Sequence, residues 1–439
     1  MLRSFAEKFH HLGKWLPLSV IVIVTIIASV NKQLIGLIAQ PVKVEFGLSD
    51  TQLGGIFSIV GVVVAIISPL LGQMADRIDR HKFLLGSILI WSVATASYGV
   101  AAGYLTLVIS VVVIASAETS LGPISNSIIA DRYRQGTRIN ANLVYFAAGG
   151  LTTGVGSFLG GVLLHQSADN LTSITFFWQG ASDWRVAMVV TGLFGIPLAL
   201  LTLVLGKDRH QANRSKSLTD LSDLKAYWQD HWKTLISFNV SNAGFFIAAS
   251  ATMGWVPIYL VRHFGISPAE LGMRMGLVIG LADLLGVLFG FVAIKKFYHF
   301  LGPIAPRYIF QFSLCGVALL YIPLLAAETV WVVLIIFGVQ NFLATFGTAS
   351  FNNMLQDMSS PGVRGKIVGI NMLIVSLVGI PGPLVVGALS DYFGQEPQSL
   401  LWAIFIVSVP MLLLSALLYG LTNKIYLQTI KAIKILEQD

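Results

Sequence analysis

Long apolar runs alternate with short polar stretches along nearly the whole chain. A helix needs about 20 predominantly apolar residues to cross the hydrocarbon core of a bilayer. Runs of that kind predict twelve helices, at 16–40, 52–74, 83–102, 104–130, 138–165, 184–206, 232–261, 268–294, 305–326, 329–356, 363–390 and 398–422. The first run is too long for a signal-peptide core and carries no small-residue cleavage pattern, so it is read as a span. The longest polar stretch, 207–231, divides the pattern into an N-terminal six-helix half (1–206) and a C-terminal six-helix half (232–422). Residues 423–439 form a tail. The expected class is an all-α integral membrane fold of two pseudo-symmetric halves.

The halves echo each other. Phe46-Gly47-Leu48-Ser49-Asp50-Thr51-Gln52-Leu53-Gly54 opens the second span, and Phe264-Gly265-Ile266-Ser267-Pro268-Ala269-Glu270-Leu271-Gly272 opens the eighth. Both are helix starts with a mechanism. Ser49 and Ser267 stand as N-caps, Gln52 and Glu270 as capping-box partners, and Pro268 in the first turn. A second echo pairs Gly136-Thr137-Arg138 with Gly362-Val363-Arg364. Repeated six-helix halves point to a transporter whose site lies near the midplane, where the halves face each other. In the fifth span, Gly150/Gly154 and Gly156/Gly160 are small residues four apart, a spacing that lets helices approach closely. In the eleventh, Pro381 and Pro383, flanked by Gly379, Gly382 and Gly387, predict a bend.

Composition agrees with this picture. Hydrophobic residues make up 55% of the chain and charged residues 11%, with a mean hydropathy of +0.78, whereas a soluble domain carries about a quarter charged residues. That leaves no room for a soluble catalytic domain. The pI near 9.4 reports orientation rather than a nucleic-acid partner. With the N-terminus inside, 23 of the 28 Lys and Arg fall on inward loops, Lys43, Arg185, Arg262 and Arg274 fall outside, and Lys32 lies within the membrane. The single Cys315 excludes an internal disulfide and a cysteine-based metal cluster. His10-His11 lies in the terminal tail and is expected to be solvated.

Against that background the ionisable groups at bilayer depth stand out, because such groups usually line pathways. Asn31-Lys32 interrupts the first span, Glu118 the fourth and Asp283 the eighth. Lys32 and Glu118 are expected to interact across the central cavity. Asn239, Asn242, Gln340, Asn341, Asn352 and Asn353 add polar groups in the second half, as substrate ligands or as interhelical glue. No phosphate loop, zinc-type histidine spacing or nucleophile elbow is present, which argues against ATP-driven transport by this chain, against a metal or cofactor and against enzyme activity.

Gly72-Gln73-Met74-Ala75-Asp76-Arg77-Ile78-Asp79-Arg80-His81 follows the second span. It resembles the loop signature of the major facilitator superfamily, with His81 in the final basic position. The resemblance implies that Asp76 meets the N-terminal end of the eleventh helix, where a helix dipole stabilises a carboxylate. It also assigns Gly72, Asp76, Arg77 and Arg80, with Arg138 and Arg364, to conformational gating. The second half has lost its copy of the acid, since Ile294 stands in the place of Asp76.

A narrower likeness covers most of the chain. Gln33 through Gly54, Trp255-Val256-Pro257-Ile258-Tyr259-Leu260-Val261-Arg262, and Gly382 through Asp391 are similar to bacterial members of the Spinster subfamily. Those members carry Asp-Arg in the first helix and an Arg seven residues before the Glu of the fourth. Here Asn31-Lys32 stands for the first pair and Val111 for the Arg, while Glu118 is retained.

These features imply a secondary active transporter, working by alternating access and coupled to protons through Glu118, with Asp283 as the second candidate. The cargo is expected to be amphipathic or anionic: lysolipid-like, an organic acid or siderophore-like. Asn31, Lys32, Glu118, Asn239, Asn242, Gln340 and Asn341 are the candidate substrate ligands. A transport-dead receptor or scaffold on the same fold is the alternative, motivated by Asn31 and Val111, and a membrane-embedded enzyme comes third. The expected setting is the bacterial inner membrane, with both termini cytoplasmic, the bilayer and H+ as partners, and a functional monomer.

Overall fold

Proline placement decides where the helices break. A proline removes its own N–H, and its ring collides with the carbonyl four residues earlier. In the computed structural model, which describes residues 2–77, 79–133, 135–167, 181–205, 222–360, 363–394 and 396–436, four long helices break at that carbonyl or next to it. Pro41 lies behind the break between α1 (Leu2–Leu37) and α2 (Ala39–Phe46). Pro123 separates α5 (Tyr104–Thr119) from α6 (Leu121–Arg132). Pro323 separates α11 (Ala305–Leu319) from α12 (Tyr321–Leu325). Pro383 separates α14 (Arg364–Gly379) from α15 (Pro381–Tyr392), where the sequence predicts a bend.

The remaining helices are α3 (Asp50–Arg77), α4 (Arg80–Gly99), α7 (Gln135–Gln166), α8 (Asp183–Leu201), α9 (Ser222–Phe264), α10 (Pro268–Leu301), α13 (Val330–Asp357), α16 (Pro397–Leu421) and α17 (Asn423–Leu436). The described residues contain no strand. Ten helical stretches among them are long and apolar enough to cross a membrane. One of these, Pro268–Leu325, takes in both the eighth and the ninth expected spans, and the third expected span lies on α4. The polar stretch 207–231 is described only from Ser222 onward, where it is already helical as the start of α9.

The repeated helix starts form as the sequence implies. Gly47 and Gly265 take the left-handed conformation, φ 61° and 65°, each ending a helix. In the first half both capping-box bonds are made: Gln52 N–H donates to Ser49 Oγ (3.0 Å) and Ser49 N–H to Gln52 Oε1 (2.9 Å). In the second, Glu270 N–H donates to Ser267 Oγ (3.2 Å), while the Glu270 carboxylate pairs with Arg274.

Contacts group the chain into two compact units. The first comprises Met1–Gly47, Val63–Lys216 and Ser267–Leu277, the second Leu48–Val62, Ser217–Ile266 and Val278–Asp439. Two short segments thus depart from a plain division at the linker. In the first unit α1 packs on α7, and α4 on α5 and α8. A Cβ on Gly161 of α7 would lie 2.5 Å from the Ala269 carbonyl oxygen at the start of α10. The fifth span's glycines therefore bring backbones together, although Gly150 meets nothing within 4 Å. In the second unit α9 packs on α14, α15 and α16, and α11 on α13 and α16.

Candidate functional site

In the first unit, the mid-span carboxylate sits at a helix break. Pro123 leaves the Thr119 carbonyl without its helical donor, so α5 stops one residue after Glu118. Across the break, Ser120 Oγ bonds to Ser87 Oγ (2.8 Å) and the Ala117 carbonyl (2.7 Å). Glu118 is half-buried. Its Oε1 accepts a hydrogen bond from Asn31 Nδ2 at 2.9 Å, and Asn31 is fully buried. Lys32 is exposed. Successive helix positions are about 100° apart, so Asn31 and Lys32 cannot both face one partner. Lys32 acts on Glu118 as a nearby charge, but no ion pair joins them within 4 Å among the described residues. The contact expected of Lys32 is thus made by Asn31. Val111 is buried in the packing of α5. Asn31 Oδ1 is a buried polar atom without a hydrogen-bond partner, while the buried indole of Trp91 acts on Glu118 as a second donor.

In the second unit the expected ligands separate into two kinds. Asn239 accepts from Asn371 Nδ2 (2.9 Å) and Asn242 from the Tyr419 hydroxyl (2.7 Å). These are ties between helices. Asn353 donates within its own helix, to the Ala349 carbonyl (3.2 Å). Gln340 and Asn341 instead line a cavity between α9, α11, α13 and α16. Asp283 is half-buried and accepts from Thr345 Oγ1 at 2.8 Å.

Of the residues expected to gate, Gly72 lies within α3, and the side chains of Asp76, Arg77 and Arg80 lie outside the described residues, as does that of Asn352. Within the same loop Asp79 caps α4, accepting from the backbone of His81 (3.0 Å) and Lys82 (3.2 Å). Arg138 Nε donates to the Tyr133 carbonyl (3.1 Å) and Arg364 Nη2 to the Ser359 carbonyl (3.2 Å). Each arginine thus reaches five residues back, onto the chain leaving the preceding helix.

Sequence reasoning assigned no role to a charged junction in the second unit. Arg262, near the end of α9, grips Asp50 with both terminal nitrogens, at 2.9 and 2.7 Å. Asp50 is fully buried and also accepts from Ser390 Oγ (2.6 Å). Asp391, at the end of α15, accepts from the backbone N–H groups of Asp50 (2.9 Å) and Thr51 (2.7 Å) and from Thr51 Oγ1 (2.6 Å). It therefore caps the N-terminus of α3, the end of a helix dipole that favours a carboxylate. Close approach is required, since a Cβ on Gly387 would lie 2.3 Å from the Asp50 carbonyl oxygen. The signal was in the repeated Asp50 motif and in an acid ending the Gly382–Asp391 segment.

The sequence profile described as Major Facilitator Superfamily matches residues 21–339 and, in a second match, 297–431. The chain belongs to the Major Facilitator Superfamily. Within the superfamily it is 24% identical to an MFS-type efflux pump of Mycolicibacterium smegmatis, over 94% of this chain and 93% of that one. It is 26% identical to protein spinster homolog 1 of Xenopus laevis, over 82% of this chain and 70% of the relative. A solved bacterial homolog of the human lysosomal transporter Spinster, in an inward-facing and unoccupied conformation, has the same fold: TM-score 0.78 at 20% identity, covering 96% of this chain and 98% of the other. The nucleoside transporter NupG shares it at a TM-score of 0.71 and 13% identity, over 92% and 98% of the two chains. The superfamily's architecture and the Spinster likeness both hold for this multi-pass membrane protein.

Proposed function

We propose that this superfamily member is a proton-coupled secondary transporter, with twelve membrane crossings and alternating access, that moves an amphipathic or anionic small molecule. The observation that carries the reading is the Asn31–Glu118 hydrogen bond. The bond belongs to a half-buried carboxylate at a helix break, with Lys32 near enough to act on it. Burial and a neighbouring cation pull a carboxyl in opposite directions, so Glu118 is suited to take up and release a proton. An anionic cargo that draws Lys32 away removes the cation and favours proton uptake, which couples the two without a second ion site. Among the relatives, one is named a sphingosine-1-phosphate transporter, from Xenopus tropicalis, and one an efflux pump. The first name agrees with an amphipathic cargo; the second names none. Asp283, hydrogen-bonded to Thr345, is the second proton candidate. The protein is read as a functional monomer in the bacterial inner membrane, with both termini cytoplasmic.

The test begins with a thermal-shift screen of lysolipids, organic acids and siderophore-type compounds on purified protein. Hits then enter proteoliposome uptake with and without a pH gradient. Glu118→Gln, which mimics the protonated acid, should bind and exchange substrate yet fail to concentrate it with the gradient. Full gradient-driven accumulation by Glu118→Gln transfers the role to Asp283. Binding without any transport favours a receptor.

A further inference from the structure

The cavity between α9, α11, α13 and α16 is lined by a buried amide oxygen, Gln340 Oε1, that has no hydrogen-bond partner. Its volume is about 90 Å³, and its walls include Phe245, Phe337 and Leu412. The hydroxyls beside it are internally satisfied. Thr252 Oγ1 bonds to the Ala248 carbonyl (2.8 Å), to the Tyr321 hydroxyl and to Ser408 Oγ (3.2 Å). Gln340 is different. Its amide nitrogen donates to the Val317 carbonyl (3.4 Å). A carbonyl can only accept, which fixes the amide's orientation and makes Oε1 the free end. That oxygen is buried without a partner, in a side chain only 4% exposed. A buried acceptor left unmade is costly, and a lining group of this kind fixes which ligand an apolar pocket takes. A second, apolar space of about 300 Å³ adjoins the first, since Ala249 and Met253 of α9 line both.

We propose that the cavity is a subsite for a compact aryl or alkyl group bearing one uncharged hydrogen-bond donor, a hydroxyl or amide N–H, which Gln340 Oε1 receives. An ammonium does not fit, because no lining residue is a carboxylate and an unpaired buried cation is strongly disfavoured. An anion does not fit either, because the open atom is an acceptor. The adjoining apolar space accommodates the hydrocarbon that connects this group to the rest of the molecule. The subsite rests on the carrier reading above and narrows its cargo to molecules whose apolar part ends in, or carries, a neutral donor.

Fluorine NMR of para-fluorobenzyl alcohol and para-fluorotoluene, with protein in lipid nanodiscs and empty nanodiscs as reference, tests this without transport. Wild-type protein should bind the alcohol about tenfold more tightly than the toluene. Gln340→Met keeps the apolar volume and should erase that preference while retaining toluene binding. Ala344→Leu narrows the cavity and should weaken both probes. If Gln340→Met fails to fold, Gln340→Asn, which draws the acceptor back, should lose the preference in its place. Equal wild-type affinities, a preference that survives in the Gln340 variant, or no binding beyond empty nanodiscs overturns the subsite and leaves a packing cavity filled by water. A carrier that transports but fails this test loses the subsite alone; a protein that passes it but never transports loses the carrier reading.

Discussion

Asn31 and Lys32 are adjacent in the chain yet meet different surroundings. Asn31 is enclosed and bonded to Glu118, while Lys32 is exposed. Asn31→Leu removes the donor and leaves Glu118 without it, so unfolding stability should drop by about 1–3 kcal/mol, read as a lower midpoint in thermal unfolding. Asn31→Gln, which keeps the donor, should lose less. Glu45, outside the spans, invites a pH test. Burial pushes its carboxyl up, but hydrogen bonds from Ser182, Arg185 and Trp184 and the Arg185 charge outweigh that and hold it below its ordinary value of 4.5. A lowered folded value stabilises above 4.5 and is lost as pH falls through it. Wild-type protein should therefore lose stability on acidification below 4.5, and Glu45→Gln should flatten that part of the profile. The pair is partly exposed, so the effect should be about 1 kcal/mol or less. A Glu45→Gln profile that superimposes on wild type would remove this role.

At the scale of elements, helix ends are tied by groups from other helices. Arg262→Ala strips the cation from the buried Asp50 and should destabilise by about 3–5 kcal/mol. Asp50→Asn combined with Arg262→Ala should recover part of that loss, because no charge is then left unpaired. A double variant as unstable as the sum of the singles would mean the residues act independently. Arg307 is the comparable tie at α16. It is buried, donates to the Tyr419 carbonyl (2.7 Å), Thr422 Oγ1 (2.5 Å) and Asn423 Oδ1 (2.7 Å), and lies 4.8 Å from the ring centres of both Tyr419 and Tyr426. It thereby fixes how α17 leaves α16. Arg307→Lys keeps the charge but not the planar fork. It should make the backbone of 423–433 more accessible to hydrogen exchange, and unchanged protection there would contradict the assignment.

For the whole molecule, the expected sidedness can be read with single cysteines on a Cys315→Ser background. A cysteine at the exposed Lys295 should label from the cytoplasmic side and one at the exposed Glu396 from the opposite side. Labelling of both from one side would overturn the topology. Much of the fold is legible from apolar run length and from proline, since the breaks beside Ser120 and Ile380 follow from Pro123 and Pro383. The repeat was legible too, down to the left-handed Gly47 and Gly265. The site was less so. Hydropathy marks position 31–32 as polar, but only the helix's rotation decides that Asn31 rather than Lys32 reaches Glu118. Asp391 and Asp50 lie 341 residues apart in sequence, and Asp391 reads on its own as a solvated helix end. Gln340 looked like its neighbour Asn341 until the Val317 carbonyl fixed which amide atom was free.

The paired arginines carry a consequence for how such a chain can diverge. Arg138 reaches the Tyr133 carbonyl and Arg364 the Ser359 carbonyl, over the same five-residue return. The acceptor is main chain in both, so its side chain is irrelevant, and a tyrosine in one copy stands where the other has a serine. A contact between a side chain and the backbone survives drift that would erase a contact between two side chains, because only one partner can be mutated away. Ancestral kinship between the halves should therefore persist longest at such turns. Exchanging 133–138 with 359–364 should be tolerated where exchanging the helix faces around Glu118 would not.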